Sequence, residues 1–144
     1  ARMVAEVVRN IENSTGRDAR DQEIAKELDV SLEEYHRLLQ EASGHRVFSY
    51  EELDVESHGG AEALTQKVTG PLEGLQSDDF KRSLADAIAG LPERERLVMT
   101  LYYDEELNLR EIGEVLGVSE SRVCQIHGQA LIRLRARMAE WTGD

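Results

Sequence analysis

Two stretches of this chain carry the same residue pattern at an offset of 88 positions: Ile24-Ala25, Leu28-Asp29-Val30-Ser31, Tyr35 and Leu38 recur as Ile112-Gly113, Leu116-Gly117-Val118-Ser119, Val123 and Ile126. Few backbones accept an apolar residue followed by a small one, a tight turn, a capping serine and a second apolar face at this spacing. Two short helices crossing around a brief turn do, which is the helix-turn-helix. In the second copy each position has a mechanical reason. Gly113 stands where the helices touch and a side chain would wedge them apart, and Gly117 stands at the turn, where a positive φ is needed. Ile112, Leu116, Val118, Val123 and Ile126 then fill the space between the helices. In the first copy Asp29 replaces the turn glycine, which aspartate tolerates at modest cost in a left-handed conformation. The repeat predicts two modules of one architecture rather than one larger bundle.

The rest of the chain reads as all-α. Only Pro71 and Pro92 interrupt 144 residues, and aromatic residues make up 5% of them. Met3, Val4, Val7, Val8 and Ile11 recur at helical spacing, so residues 2–13 read as an amphipathic helix closed by Ser14-Thr15-Gly16. Helices over 19–28 and 32–42 follow, the latter opened by a Ser31/Glu34 capping box and closed by Ser43-Gly44. Periodicity returns at Asp78-Asp79, a natural cap, with Phe80, Leu84, Ala87, Ile88 and Leu91 on one face. Pro92 suits the first position of the next helix, whose core face is Leu97, Val98, Leu101 and Tyr102. Asn108 and Glu111 cap a helix over 109–116, and Ser119 caps a long last helix reaching about Met138. Between the halves Gly59-Gly60, Gly70-Pro71 and Gly74 break the pattern, leaving a linker with one short helix around 60–68. The expected organisation is a helical module over 1–44, an acidic linker over 45–77 and a helix-turn-helix domain over 78–144.

Charge separates these parts. The net charge is −12, which argues against a nucleic-acid partner until its distribution is considered. Residues 41–80 hold nine acidic side chains against Arg46 and Lys67, a local −7. Residues 119–138 hold Arg122, Arg133, Arg135 and Arg137 against Glu120, a local +3. The acidic stretch and the basic helix are thus expected to meet different partners. Within the former, the run Tyr50-Glu51-Glu52-Leu53-Asp54-Val55-Glu56 reads either as a solvated face or as an acidic tether for a basic groove.

No run of 18 apolar residues exists, and the opening Ala1-Arg2-Met3-Val4 lies in mid-pattern, so a soluble, cytoplasmic fragment of something longer is expected, with no membrane contact. The single cysteine, Cys124, can form no internal disulfide and is read as a small hydrophobe. His36, His45, His58 and His127 lack metal-ligand spacing, no nucleophile sits in a recognisable elbow, and no glycine-rich phosphate loop follows a strand. Neither an enzyme nor a cofactor finds support in these residues.

On the last helix Val123, Ile126, Ala130 and Leu134 form the buried stripe, which turns Ser121, Gln125, Gln129 and Ile132 away from the module's core. That outer face is the one a major groove would meet. Arg122 can reach guanine or phosphate, and Gln125 can pair bidentately with adenine. Arg133, Arg135 and Arg137 suit backbone phosphates better than bases, or serve only to solvate a surface helix.

The segment Leu91-Pro92-Glu93-Arg94-Glu95-Arg96-Leu97-Val98-Met99-Thr100-Leu101-Tyr102-Tyr103 resembles the approach to the helix-turn-helix in region four of bacterial sigma factors. Asn108-Leu109-Arg110-Glu111-Ile112-Gly113, Ser121-Arg122-Val123-Cys124-Gln125-Ile126-His127 and Val47-Phe48-Ser49-Tyr50-Glu51-Glu52 are similar to the flagellar, or motility, class, and residues 2–42 resemble its region three. The resemblance implies that the helix beginning at Ser119 reads the promoter's −35 element, with Ser121, Arg122, Gln125, Gln129 and Arg133 as DNA-facing residues. It implies that Arg2 and Arg9 lie near the extended −10 segment. The acidic linker, through Glu51, Glu52 and Asp54, would thread the RNA-exit channel of core RNA polymerase. Residues 93–103, with Leu101 and Tyr102, would belong to a protein-facing surface for the polymerase β-flap or an anti-sigma factor. Housekeeping members place Arg and Glu early in the recognition helix where this chain has Glu120 and Ser121, so a different −35 sequence is implied. A free-standing helix-turn-helix regulator and a protein-binding helical module remain as alternatives.

Overall fold

The computed structural model describes residues 2–44 and 78–142. The linker over 45–77, its expected short helix and the acidic residues Glu51, Glu52 and Asp54 lie outside the described residues. Everything regular among the described residues is helical. None of these helices is long and apolar enough to cross a membrane.

Helix α1 (Arg2–Thr15) buries Val4, Ala5 and Val8 and leaves Met3 exposed. Its last turn is closed by the Ser14 and Thr15 hydroxyls, both donating to the Ile11 carbonyl. Helix α2 (Asp21–Leu28) starts two residues later than its hydrophobic pattern implies, because Arg20 is extended and Ala19 packs into the core from outside the helix. Glu23 fixes that start. It accepts the Arg20 backbone N–H at 2.9 Å and both terminal nitrogens of Arg17. The Arg17 hydrogen bonds first, and the Arg20 N–H second, hold its carboxyl down to about 2. Asp29 then turns the chain at φ +58, and Ser31 caps α3 (Leu32–Ser43) by accepting from Glu34 N at 3.0 Å. The glycine-free turn of the first repeat is therefore a left-handed aspartate.

In the second half α4 (Asp78–Ala89) leads to α5 (Glu93–Met99), with Pro92 as the N-cap, so the helix starts one residue later than expected. The chain then widens into a π-helical turn (Thr100–Asp104), in which Glu105 N donates to Thr100 O at 3.1 Å. The extra residue turns Tyr102 and Tyr103 together into the core, their rings edge to face at 4.8 Å. Asn108 and Glu111 satisfy each other's backbone N–H groups, opening α6 (Leu109–Leu116). Gly117 turns at φ +73, Ser119 caps α7 (Glu120–Arg137), and the short α8 (Ala139–Thr142) sets Trp141 edge-on against Phe80. A Cβ on Gly113 would lie 2.7 Å from the Val118 carbonyl oxygen and 3.5 Å from Glu120 N, so what closes on this glycine is the turn and the first residue of α7.

Two apolar cores result. One is built from α4 to α8 around Phe80, Val98, Leu109, Ile112, Val123 and Leu134. The other is built from α1 to α3 around Val8, Ile24, Tyr35 and Leu39, and it is completed by Ile132 and Ala136 of α7. Every residue of α7 from Ile126 to Leu134 is buried, as expected of a helix packed on all sides.

Candidate nucleic-acid interface

The second helix of the second helix-turn-helix, α7, has a well-defined start. Ser119 Oγ accepts the Arg122 backbone N–H at 3.0 Å, and Arg122 Nη1 reaches Gln125 Oε1 at 3.4 Å. Arg122 and Gln125 are both half-buried at this end of the helix. A guanidinium and an amide one turn apart near a helix start match the donor and acceptor patterns of base edges in a major groove.

Further along, the face expected to be open is covered. Ser121 Oγ accepts from Gln40 Nε2 at 2.6 Å, and Gln129, 4% exposed, accepts from the Tyr35 hydroxyl at 2.6 Å. The Gln129 amide nitrogen is buried without a hydrogen-bond partner beside a cavity of 70 Å³ lined also by Asp21, Arg94, Arg122 and Gln125. Ile132 lies in the first module's core. Gly128 faces the backbone carbonyl of Leu39 so closely that no Cβ fits between them. The lone Cys124 is fully buried, its sulfur 3.9 Å from the Gln40 carbonyl. The periodicity of α7 correctly marks Ser121, Gln125, Gln129 and Ile132 as turned away from their own core. It does not reveal that α3 and α1 pack on that same face.

Arg133 shows why. Its side chain is 3% exposed, yet it is paired throughout, with Nε and Nη2 donating to the two carboxylate oxygens of Glu95 at 3.0 Å each. Nη1 donates to Glu12 at 2.7 Å and to the Ala19 carbonyl at 3.2 Å. Burial alone would lower its pKa, but Glu95 and Glu12 outweigh burial and hold the guanidinium firmly charged. Arg137 extends the network to Glu12, Asp18 and the Gly90 carbonyl, while Arg135 is half-buried. His127, fully buried, lies between Ser43 Oγ (2.7 Å from Nδ1) and the Tyr103 hydroxyl (2.9 Å from Nε2).

The remaining candidates are dispersed. Arg9 is exposed on α1, and Arg2 opens that helix with its side chain outside the described set. Tyr102 is buried by the π-helical turn and Leu101 is partly buried, so the outer side of α5 presents Leu97 instead. Sequence reasoning passed over Glu12, Tyr35, Gln40 and Glu95 as partners of α7, and over Gly128 as the point within α7 where another backbone comes close. Only Gly128, a glycine inside a long helix, carried a signal of close backbone approach.

The sequence pattern of Sigma-70, region 4 matches residues 87–136, and that of Sigma-70 region 3 matches residues 1–74. The chain belongs to the sigma-70 family and carries its regions three and four. Within that family it is similar to the flagellar members. It is 55% identical over 141 residues to the RNA polymerase sigma factor FliA of Pseudomonas aeruginosa, covering 97% of this chain and 57% of that protein. It is 43% identical to FliA of Salmonella typhimurium, over 97% of this chain and 59% of that protein. The RNA polymerase sigma factor for flagellar operon of Vibrio parahaemolyticus is 34% identical over 93% of this chain and 53% of its own length. The chain thus spans somewhat more than half the length of these relatives. Among solved structures, a flagellar sigma/anti-sigma complex, Sigma-28/FlgM, aligns over 96% of this chain and 59% of that chain at 31% identity, with a TM-score of 0.43.

Proposed function

We propose that this chain is the promoter-recognising and polymerase-docking part of a cytoplasmic sigma factor that directs RNA polymerase to flagellar and motility promoters, with no catalysis of its own. Residues 1–44 act near the extended −10 segment, through Arg2 and Arg9 on α1. Residues 45–77 form the acidic tether, and residues 78–144 bind the −35 element. The observation that carries the reading is the start of α7. Ser119, Ser121, Arg122 and Gln125 are gathered on the second helix of a helix-turn-helix in a chain that belongs to the sigma-70 family.

In this mechanism Arg122 and Gln125 read base edges, and Ser119 and Ser121 contact the flanking backbone. Gln129 and Arg133 lie deeper along the helix and, like Ser121 beneath Gln40, join only if the covered face is freed. An acidic chain has poor affinity for DNA by itself. Tethering to polymerase supplies the missing affinity by raising the effective concentration of the reading helix at the promoter. Glu51, Glu52 and Asp54 provide the charge for a basic RNA-exit channel, and the surface around Leu97 and the partly buried Leu101 faces the β-flap or, in the motility class, an anti-sigma factor, with Tyr102 supporting it from the core.

The test is fluorescence anisotropy of the labelled chain against core RNA polymerase, comparing wild type with charge reversal at Glu51, Glu52 and Asp54. Salt-sensitive binding that the reversals weaken is expected. No binding at micromolar polymerase would sink the proposal in favour of a free-standing regulator. Binding that persists while promoter recognition by the polymerase-bound chain ignores Arg122→Ala and Gln125→Ala would favour a protein-binding helical module.

A further inference from the structure

Unused hydrogen-bonding capacity collects in the cavity of 70 Å³ between α2, α5 and α7, whose polar lining is Asp21, Arg94, Glu95, Arg122, Gln125 and Gln129. The acceptors there are mostly occupied. Both Glu95 oxygens accept from Arg133, and Asp21 Oδ2 lies 3.4 Å from His36 Nε2. Gln129 Oε1 accepts from the Tyr35 hydroxyl, and Gln125 Oε1 accepts from Arg122 Nη1 at the long distance of 3.4 Å. The donors are not. Gln129 is 4% exposed, and its Nε2 is buried with no partner among the described residues, a costly state for an amide. Arg94, exposed at the rim, makes no hydrogen bond or ion pair among the described residues, and the Arg122 guanidinium makes only its contact with Gln125.

Two guanidinium groups and two primary amides around a small space call for a compact ligand rich in acceptors. The space is about half of the roughly 150 Å³ that accommodates benzene, which suits a few heavy atoms rather than an organic ring. Water would satisfy the Gln129 amide but bring no counter-charge to Arg94 and Arg122. A tetrahedral oxyanion supplies both. We propose that this cavity is a binding site for hydrogen phosphate, held by Arg94 and Arg122 at the rim and by Gln129 Nε2 within, with Asp21 accepting the anion's own O–H. Asp21 is the residue that selects among anions. A carboxylate repels a fully ionised oxyanion such as sulfate, whereas its free oxygen accepts from the one hydroxyl that hydrogen phosphate keeps near neutral pH. A phosphate monoester dianion and a DNA phosphodiester lack that hydroxyl, so the ligand is free phosphate rather than the phosphate of a larger molecule. The site involves no duplex and does not depend on the promoter role of Arg122.

The experiment titrates the 144-residue chain with inorganic phosphate in a chloride buffer at slightly alkaline pH. It reads the line width of the phosphate signal by phosphorus NMR and the thermal unfolding midpoint by circular dichroism. Saturable broadening at millimolar phosphate and a raised midpoint are expected, since a ligand that binds only the folded chain stabilises it. Neither arginine is buried, so Arg94→Gln and Arg122→Gln are expected to fold, and each is expected to weaken phosphate binding about tenfold or more, as loss of a charge-assisted hydrogen bond does. Sulfate and glycerol phosphate, added as competitors, are expected to displace phosphate at least about tenfold less well than phosphate itself. Asp21→Asn is expected to bring sulfate level with phosphate, because an amide can donate where the carboxylate repels. No saturable binding at millimolar phosphate would overturn the proposal and leave the cavity to water. Binding of wild-type strength in both arginine variants would overturn it by placing the anion elsewhere. Sulfate or the ester competing as well as phosphate against the wild-type chain would overturn it too, by reducing the site to unselective attraction of anions.

Discussion

Arg133 is buried more deeply than its chemistry tolerates without help, and the help comes from two carboxylates on different elements. Glu95 of α5 supplies a bidentate partner and Glu12 of α1 a second anion, so the guanidinium connects both halves of the molecule. Removing one member of such a set leaves the others desolvated and unpaired, which is more damaging than never having had them. Arg133→Met is therefore expected to lower unfolding stability by about 3–5 kcal/mol in urea titrations. The double variant Arg133→Met with Glu95→Leu is expected to recover most of that loss, because Glu12 keeps Arg137 as a partner. A double variant no more stable than the single one would show that the arginine acts by filling space rather than by pairing with charge.

At the scale of elements, the two turns of the repeat are matched experiments in backbone strain. Gly117 adopts φ +73 and Asp29 adopts φ +58, with the same flanking pattern and the same serine cap two residues on. Gly117→Ala is expected to cost about 1–2 kcal/mol of thermal or urea stability, the penalty of a left-handed residue with a Cβ. Asp29→Gly is expected to leave stability unchanged or raise it by up to about 1 kcal/mol; a clear loss would mean that the aspartate side chain contributes more than a tolerated conformation. These turns, the reciprocal Asn108/Glu111 cap and the Ser119 cap were legible in sequence because each signal lies within a few residues of its effect. The start of α2 and the π-helical turn were not. The first depends on Glu23 reaching back to Arg17 and Arg20, and the second carries no compositional mark at all. The covered side of α7 was illegible for a further reason. Gln129 and Arg133 look like solvent-facing residues, and only partners 94 and 121 positions away in the chain make their burial affordable.

At the scale of the molecule, α7 contributes side chains to both apolar cores, so neither core is complete without it. Unfolding is expected to be a single cooperative step. Trp141, the only tryptophan, sits on Phe80 in the second core and reports that half alone, whereas far-ultraviolet dichroism reports all helices. Coincident urea midpoints by the two probes are the expected outcome. A tryptophan transition separated from the dichroism transition would mean that the halves unfold independently and that the shared helix does not couple them.

If α7 binds a duplex as proposed, it answers both to that duplex and to a neighbouring fold, and such a helix is not free to drift. Any inherited change at Gln129, Ile132 or Arg133 that adapts the protein to a new promoter is screened at once by the surface of α3 and α1, and tolerated changes there should arrive in company with changes at Tyr35, Gln40 or Glu12. Grafting the reading helix of another family member into this chain would then transfer promoter preference cleanly only if the opposing face of the first module travelled with it.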